Sequence, residues 1–191
     1  MFLTQLDSPI GVLTLTSDGT ALTGLWMENQ KYAPAVLRGD INPDLPVFRE
    51  TAAWLEAYFS HDLPPALPLM ALKGTAFRQA VWTLLREIPY GEITTYGALT
   101  QKLRQKGIPA SAQAVGGAVG HNPISILIPC HRVVGAGGQL VGYAGGVDKK
   151  VFLLSLETRG KARGEKSDSG ESGSALHDDG SRSGRNLSIG R

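Results

Sequence analysis

The chain has 191 residues, 42% of them hydrophobic, enough to bury one substantial core or two small ones. Its net charge of +2 is close to neutral, and its lone cysteine excludes an intramolecular disulfide and any zinc site built from several cysteines. No basic segment followed by an apolar core opens the sequence, and no apolar run approaches the roughly 20 residues a membrane-spanning helix needs. A reducing, cytoplasmic setting without membrane attachment is therefore expected, and it would keep a thiol usable. Charge is unevenly spread. Residues 1–72 carry three basic side chains (Lys31, Arg38, Arg49) against eight acidic ones, whereas residues 73–132 carry seven basic against two (Glu87, Glu92). An acidic first part and a basic second part point to the second as the one to meet a polyanion, although a solvated charged face gives the same pattern.

In chain order, residues 4–11 read as a strand entering a turn marked by Ser8-Pro9 and Gly11. Residues 12–17 alternate apolar and polar, Asp18-Gly19 turns the chain, and residues 21–26 complete a three-stranded antiparallel meander. Residues 29–46 have no periodicity. Residues 48–59 place Phe48, Ala52, Leu55, Tyr58 and Phe59 on roughly one face of a helix. His61-Asp62-Leu63-Pro64-Pro65 ends it, and the proline-rich stretch to Pro68 reads as a linker. The predicted organisation is an N-terminal α/β domain over 1–70, a second domain over 72–160, and a Gly/Ser/charged tail over 161–191 too polar to offset its chain entropy, hence disordered.

The second domain opens with Thr75, a natural N-cap for a helix with an apolar stripe of Phe77, Val81, Trp82, Leu84, Leu85 and Ile88. Pro89-Tyr90-Gly91 stops it. Thr94 or Thr95 can cap a second helix to about Lys106, and Ser111 a third, small-residue one over 112–119. Two helices joined by a short Gly-containing turn are the ingredients of a helix-turn-helix, a weak signal alone. His121-Asn122-Pro123 breaks the third helix, residues 125–128 read as a short buried strand, 135–146 as a glycine-rich loop and 147–158 as a last helix.

The cysteine sits in Ile128-Pro129-Cys130-His131-Arg132-Val133, at the end of the apolar run. A free thiol, with a pKa of about 8.5, must ionise before it attacks carbon. His131 is the obvious base, but adjacent side chains need not face each other, so a sharp turn or a bridging water is required. Glu157 could orient the histidine as the third group of a Cys-His-acid relay. On composition alone an inert buried thiol is as good a reading.

The string Ile128-Pro129-Cys130-His131-Arg132-Val133 resembles the active-site signature of the methylated-DNA–protein-cysteine methyltransferases, or O6-alkylguanine-DNA alkyltransferases. Ile88-Pro89-Tyr90-Gly91-Glu92 with Tyr96-Gly97, Ala114-Val115-Gly116 with His121-Asn122-Pro123, Gly142-Tyr143-Ala144-Gly145-Gly146 and the stretch to Glu157 follow in the family's order. The resemblance is dense over about 72–158 and looser through Asp7-Ser8-Pro9-Ile10-Gly11. It implies an α+β fold: a small antiparallel sheet plus helix, ribonuclease-H-like, then a mostly helical, winged-helix-like domain with the helix-turn-helix. The implied reaction is direct reversal of damage in double-stranded DNA. An alkylated guanine is flipped out of the stack and its O6-alkyl group passes irreversibly, once per molecule, to Cys130. Whether O4-alkylthymine is also accepted stays open.

Carried over residue by residue, Cys130 is the nucleophile, His131 its base through a water, and Glu157 the group that orients the histidine. Asn122 is a hinge tying the recognition helix to the active-site strand, and Tyr96 a donor to the leaving guanine that also crowds the flanking phosphate. Tyr143 and the Ala144 backbone line the guanine pocket, with main-chain groups of Cys130 and Val133 reading the base edge. Gly97, Gln113, Ala114, Arg132 and Ala136 complete the expected substrate- and DNA-contacting set. No cofactor and no metal are expected, the N-terminal cysteine/histidine set of zinc-carrying relatives being absent, and the protein should act as a monomer in a bacterial-type cytoplasm, at the nucleoid.

One departure stands out. Where the family usually has an arginine that fills the gap left by the flipped base, the sequence has Gln113, which brings no charge, and the preceding loop 106–111 is long for the family. Two other readings compete: a non-catalytic lesion sensor of the same fold, in which the cysteine is usually replaced, and a cysteine hydrolase that turns over and releases product.

Overall fold

The structure, a computed structural model, describes residues 1–34, 38–62 and 64–168. Period-two patterning at the start of the chain produces β1 (Phe2–Leu6), β2 (Leu13–Ser17) and β3 (Leu22–Met27), an antiparallel meander that buries Leu13, Leu15, Leu22 and Leu25 completely. Gly11, at φ 95°, closes the first connection by donating its N–H to the Ser8 carbonyl, and the Asp18 carboxylate shapes the second by accepting from Thr20 and Ala21. A further strand, β4 (Asp40–Ile41), pairs in parallel with β1 inside the stretch expected to be irregular, giving the order β3-β2-β1-β4. Two residues between Gly39 and Asn42-Pro43 offer no alternation to read. The first helix, α1 (Pro46–Ser60), starts on a proline, lays Phe48, Leu55 and Tyr58 into the core, and ends where His61 turns left-handed.

The second half follows its capping signals. Thr75, Thr95 and Ser111 are the N-caps of α2 (Ala76–Arg86), α3 (Tyr96–Gln105) and α4 (Ala112–Gly120), their hydroxyls accepting from the N–H groups of Arg78, Ala98 and Ala114. Each cap contributes about 1 kcal/mol. The α2 stripe of Val81, Trp82, Leu84 and Leu85 packs beneath the α3–α4 pair, and the Trp82 indole donates to the Ala118 carbonyl at 2.9 Å. Strands β5 (Thr94–Thr95) and β6 (Val133–Val134) make a small parallel pair that holds the start of α3 beside the segment after the cysteine.

Two expectations need correction. Residues 125–128 are a tight turn, not a strand: Ser125 bridges Ile128, and Ile126 has φ 69°. The apolar run was buried by side-chain packing rather than by a ladder, and periodicity does not separate the two. The last helix, α5 (Val147–Asp168), runs past Gly160 into the expected disordered tail; the remainder of that tail, 169–191, lies outside the described residues. A helix already nucleated and packed by its first half extends at little cost through a polar, charged sequence.

The two halves share one core. The outer edge of β3 is covered by backbone from the connecting segment and the second half: Leu22 exchanges hydrogen bonds with Leu69 and Ala71, and Leu25 with Pro123 and Ser125. Buried residues from Ile10 to Leu153 form one continuous hydrophobic cluster. The segment carrying Cys130 is therefore anchored to the N-terminal sheet.

Candidate active site

The turn before the cysteine is held by Asn122, just past α4. Its amide oxygen accepts from the Ile124 N–H at 3.1 Å, while its amide nitrogen donates to the Ile128 carbonyl at 2.8 Å and to Cys130 Sγ at 3.0 Å. Asn122, expected as a hinge between the recognition helix and the active-site segment, braces this turn and donates directly to the sulfur. Cys130 opens a single 3₁₀ turn, Cys130–Arg132, and is buried. Its sulfur lies 4.0 Å from the Tyr143 hydroxyl and lines a cavity of about 270 Å³ shared with Tyr96, Gly116, Tyr143 and Ala144.

Behind the thiol lies a buried ionic network. Glu157 Oε1 accepts from His131 Nε2 at 2.8 Å, Arg132 Nη2 at 2.8 Å and the Tyr58 hydroxyl at 2.7 Å, and Oε2 accepts from Arg132 Nε at 2.8 Å and the Gly91 N–H at 3.1 Å. A carboxylate only accepts, so the proton on Nε2 leaves Nδ1 as the basic nitrogen of His131. Nδ1 is buried and hydrogen-bonds to no protein group among the described residues.

Burial pushes the Glu157 carboxyl up, but hydrogen bonds and charge from His131 and Arg132 outweigh it and hold the pKa at about 2. Burial lowers the pKa of His131 in spite of Glu157, leaving a neutral imidazole. Burial raises the Cys130 thiol, opposed by the Asn122 and Tyr143 hydrogen bonds and by the charge of Lys150. Tyr96 is raised, first by burial and then by Cys130, so it remains a protonated donor at neutral pH.

Cys130, His131, Glu157, Asn122, Tyr96, Tyr143 and Ala144 therefore converge, whereas Gly97, Gln113 and Ala114 are exposed on α3 and α4, and Ala136 on the glycine-rich loop. Arg132, expected against DNA, is buried instead: Nε and Nη2 go to Glu157 and Nη1 to the Ile88 carbonyl at 2.6 Å. An arginine beside a reactive cysteine reads as a nucleic-acid contact only if its acid partner is overlooked. The main-chain groups expected to read the base already have protein partners. Cys130 N–H donates to Ile128, the Cys130 carbonyl accepts from Val133, the Val133 carbonyl accepts from Lys150 Nζ at 2.7 Å, and the Ala144 carbonyl accepts from Lys31 N–H at 2.8 Å. Each of those carbonyls keeps a second lone pair for a ligand.

Sequence reasoning missed Tyr58 and Lys150. Tyr58 looked like one more aromatic on the apolar face of α1; Lys150 sits in α5 with its amine buried between the Val133 and Val141 carbonyls, 2.7 and 3.0 Å away. No group of three His, Cys, Asp or Glu able to hold a metal occurs among the described residues, and no helix there is long and apolar enough to cross a membrane.

Comparison with known proteins matches residues 1–70 to the ribonuclease-like domain, and residues 76–159 to the DNA binding domain, of 6-O-methylguanine DNA methyltransferase. A methylated-DNA–protein-cysteine methyltransferase of Mycobacterium bovis is 47% identical over 152 residues, spanning 80% of this chain and 89% of the relative. One from Methanosarcina acetivorans is 39% identical over 171 residues, 82% and 98% of the two chains. The crystal structure of Mycobacterium tuberculosis OGT in complex with DNA superposes with a TM-score of 0.75 at 42% identity, covering 84% of this chain and 94% of that one.

Proposed function

Since the chain belongs to the methylated-DNA–protein-cysteine methyltransferase family, enzymes of DNA repair, we propose that Cys130 accepts the alkyl group of an O6-alkylguanine flipped out of duplex DNA, and does so once. The observation that carries this reading is the sulfur itself: one buried thiol, facing a base-sized cavity, held by Asn122 and backed by the His131–Glu157 pair.

DNA lies against the α3–α4 pair, whose exposed start of α4 (Gln113, Ala114) enters the minor groove, the small side chains of that helix permitting close approach. Flipping costs a few kcal/mol and delivers guanine past Tyr96 into the cavity. His131 Nδ1 takes the thiol proton through a water, and Glu157 stabilises the imidazolium that results. The thiolate attacks the alkyl carbon: an S–C bond forms, the C–O6 bond breaks, and its electron pair leaves with guanine, which takes a proton from Tyr96 and regenerates the ordinary base. The Tyr96 phenolate recovers its proton from the imidazolium or solvent, and the thioether left on Cys130 is stable. Residues 1–70 serve as a supporting α/β domain and 72–160 as the reacting one, and the protein acts as a monomer, because no step needs a second copy.

The test is intact mass spectrometry after incubation with duplex DNA containing O6-methylguanine. One methyl group per protein, located on Cys130 and absent from Cys130→Ser, is expected. No adduct, an adduct that survives Cys130→Ser, or repeated turnover with released product would refute the reading.

A further inference from the structure

The cavity at Cys130 has a wall that the reaction above does not use. Lys31 and Tyr32, on the loop after β3, line it from the N-terminal half. That loop is fastened across the site: Lys31 N–H donates to the Ala144 carbonyl at 2.8 Å, and Lys149 Nζ to the Glu28 carbonyl at 2.9 Å. The Tyr32 ring stacks on His121 with centroids 4.0 Å apart and planes 22° apart, and Lys31 Nζ lies 5.1 Å from the Tyr32 centroid. His121 is itself fixed by a 2.7 Å hydrogen bond to the Gly117 carbonyl of α4.

Two glycines of α4 show how the cavity is framed. A Cβ on Gly116 would lie 3.8 Å from the Tyr96 ring, and one on Gly120 would lie 3.4 Å from the Tyr32 ring. Residues four apart share a helix face, about 6 Å along the axis. Tyr96 and Tyr32 therefore flank the cavity along α4, Tyr96 toward the exposed start of the helix and Tyr32 toward its far end. A base arriving from the DNA side meets Tyr96 first; Tyr32 stands between the far end of the cavity and solvent, with its own outer surface about half exposed (49%). The backbone of Tyr32 is left-handed at φ 67°, a conformation that is rare and costly for a residue with a large side chain. Neighbours on both sides hold the ring there against that cost.

We propose that Tyr32 is a specificity-determining residue that closes the cavity and limits the size of the O6 substituent the protein can take. The cavity, about 270 Å³ and open on one side, is bounded at its far end by the Tyr32 ring, which is held by its stack on His121, so an O6 substituent that extends toward the far end of α4 meets the ring, whereas a methyl group is too short to reach it. This rests on the alkyl-transfer reading above and adds to it the residue that sets the size limit.

The test is Tyr32→Gly, which removes the wall and suits the left-handed backbone, so the loop keeps its Lys31–Ala144 tether. Single-turnover rate constants for transfer to Cys130 are measured with duplexes carrying O6-methylguanine and O6-benzylguanine, alongside melting temperature. The benzyl-to-methyl ratio is expected to rise about tenfold or more, while Tyr32→Phe, which keeps the ring, retains the parent ratio. An unchanged ratio in Tyr32→Gly, whether both rates hold or fall together, overturns the assignment, as does an equal change in Tyr32→Phe. A parent protein that takes no methyl group overturns the proposed function and this inference with it; a working parent with an unchanged ratio overturns this inference alone.

Discussion

Replacing Glu157 by glutamine keeps the side chain's shape and removes only its charge and one acceptor. Every group facing the carboxylate is a donor: three on Oε1 and two on Oε2. Whichever way the amide turns, its NH2 meets donors, and the buried Arg132 guanidinium loses its counter-charge. Breaking a buried pair from one side costs about 3–5 kcal/mol, because the surviving charge is left uncompensated. For a chain of this size each kcal/mol lowers the melting temperature by about 2–4 °C, so Glu157→Gln should melt about 6–20 °C below the parent at neutral pH.

The pH dependence supplies an independent check. The Glu157 pKa is depressed from an ordinary 4.5 to about 2 in the folded protein. The stabilisation it brings is therefore fully present above about pH 4.5 and lost as pH falls toward 2; at 1.36 kcal/mol per pKa unit it amounts to about 3 kcal/mol, the same size as the ion-pair argument gives. The neutral, buried His131, lowered from 6.5, loses stability in the same direction starting at higher pH, and more so in the variant, which lacks the Glu157 charge that opposes the lowering. The Glu157 contribution to the melting-temperature gap between parent and Glu157→Gln should thus narrow as pH is lowered from 4.5. Thermal melts by circular dichroism from pH 3 to pH 8 measure it. Adding Arg132→Met should restore part of the lost stability if the orphaned charge is the cause. A Glu157→Gln protein melting within 2 °C of the parent, or a double variant weaker than either single one, would refute the reasoning.

Asn122→Ala removes a charge-assisted hydrogen bond to the thiolate worth about 1.5–3 kcal/mol, so transfer should slow by about 10- to 150-fold; the pH–rate profile should move to higher pH, and an unmoved profile would mean Asn122 only positions the turn. Lys150→Met withdraws the cation whose charge lowers the Cys130 pKa and frees the carbonyls of Val133 and Val141. Alkylation of Cys130 by iodoacetamide should then require higher pH, and an identical pH profile would show that the ammonium does not reach the sulfur. Gln113→Arg places a charge at the exposed start of α4; DNA affinity should rise, with the slope of log affinity against log salt steepening by about 1. Unchanged affinity and transfer rate would show that Gln113 already does what an arginine would.

Local chemistry was legible in the sequence; distant pairing was not. Thr75 and Ser111 were recognisable as caps, and the second cap was narrowed to Thr94 or Thr95, because a cap acts on an N–H three residues away. Cys130, His131 and Glu157 were found through a run of short motifs, and the His131–Glu157 contact at 2.8 Å joins two of them. Tyr58 reaches Glu157 across 99 residues of chain, and no periodicity separates a tyrosine that fills a core from one that also donates a hydrogen bond. Arg132 was misjudged for the complementary reason. Positive charge near a DNA-directed site suggests phosphate, and only its 8% exposure reveals that its partner is Glu157. The Tyr32–His121 stack depends on a left-handed residue in a stretch without pattern, which sequence periodicity does not encode.

The N-terminal half is more than a support for the reacting one. It donates the Tyr58 hydroxyl to the carboxylate that His131 is hydrogen-bonded to, supplies the Tyr32 wall of the cavity, and anchors the turn before Cys130 through the edge of β3. This shared construction suits a thiol that can be spent only once. A permanently ionised cysteine would be consumed by oxidants or stray electrophiles before a lesion arrived. Here burial holds the thiol protonated and the imidazole neutral, while Asn122 already donates to the sulfur and the charge of Lys150 favours the thiolate. A base that fills the cavity expels water and lowers the local dielectric, and those fixed donors then stabilise the developing charge more strongly than they could in the open site. Reactivity is thereby tied to occupancy by the substrate, which is the condition under which a single-use nucleophile is not wasted.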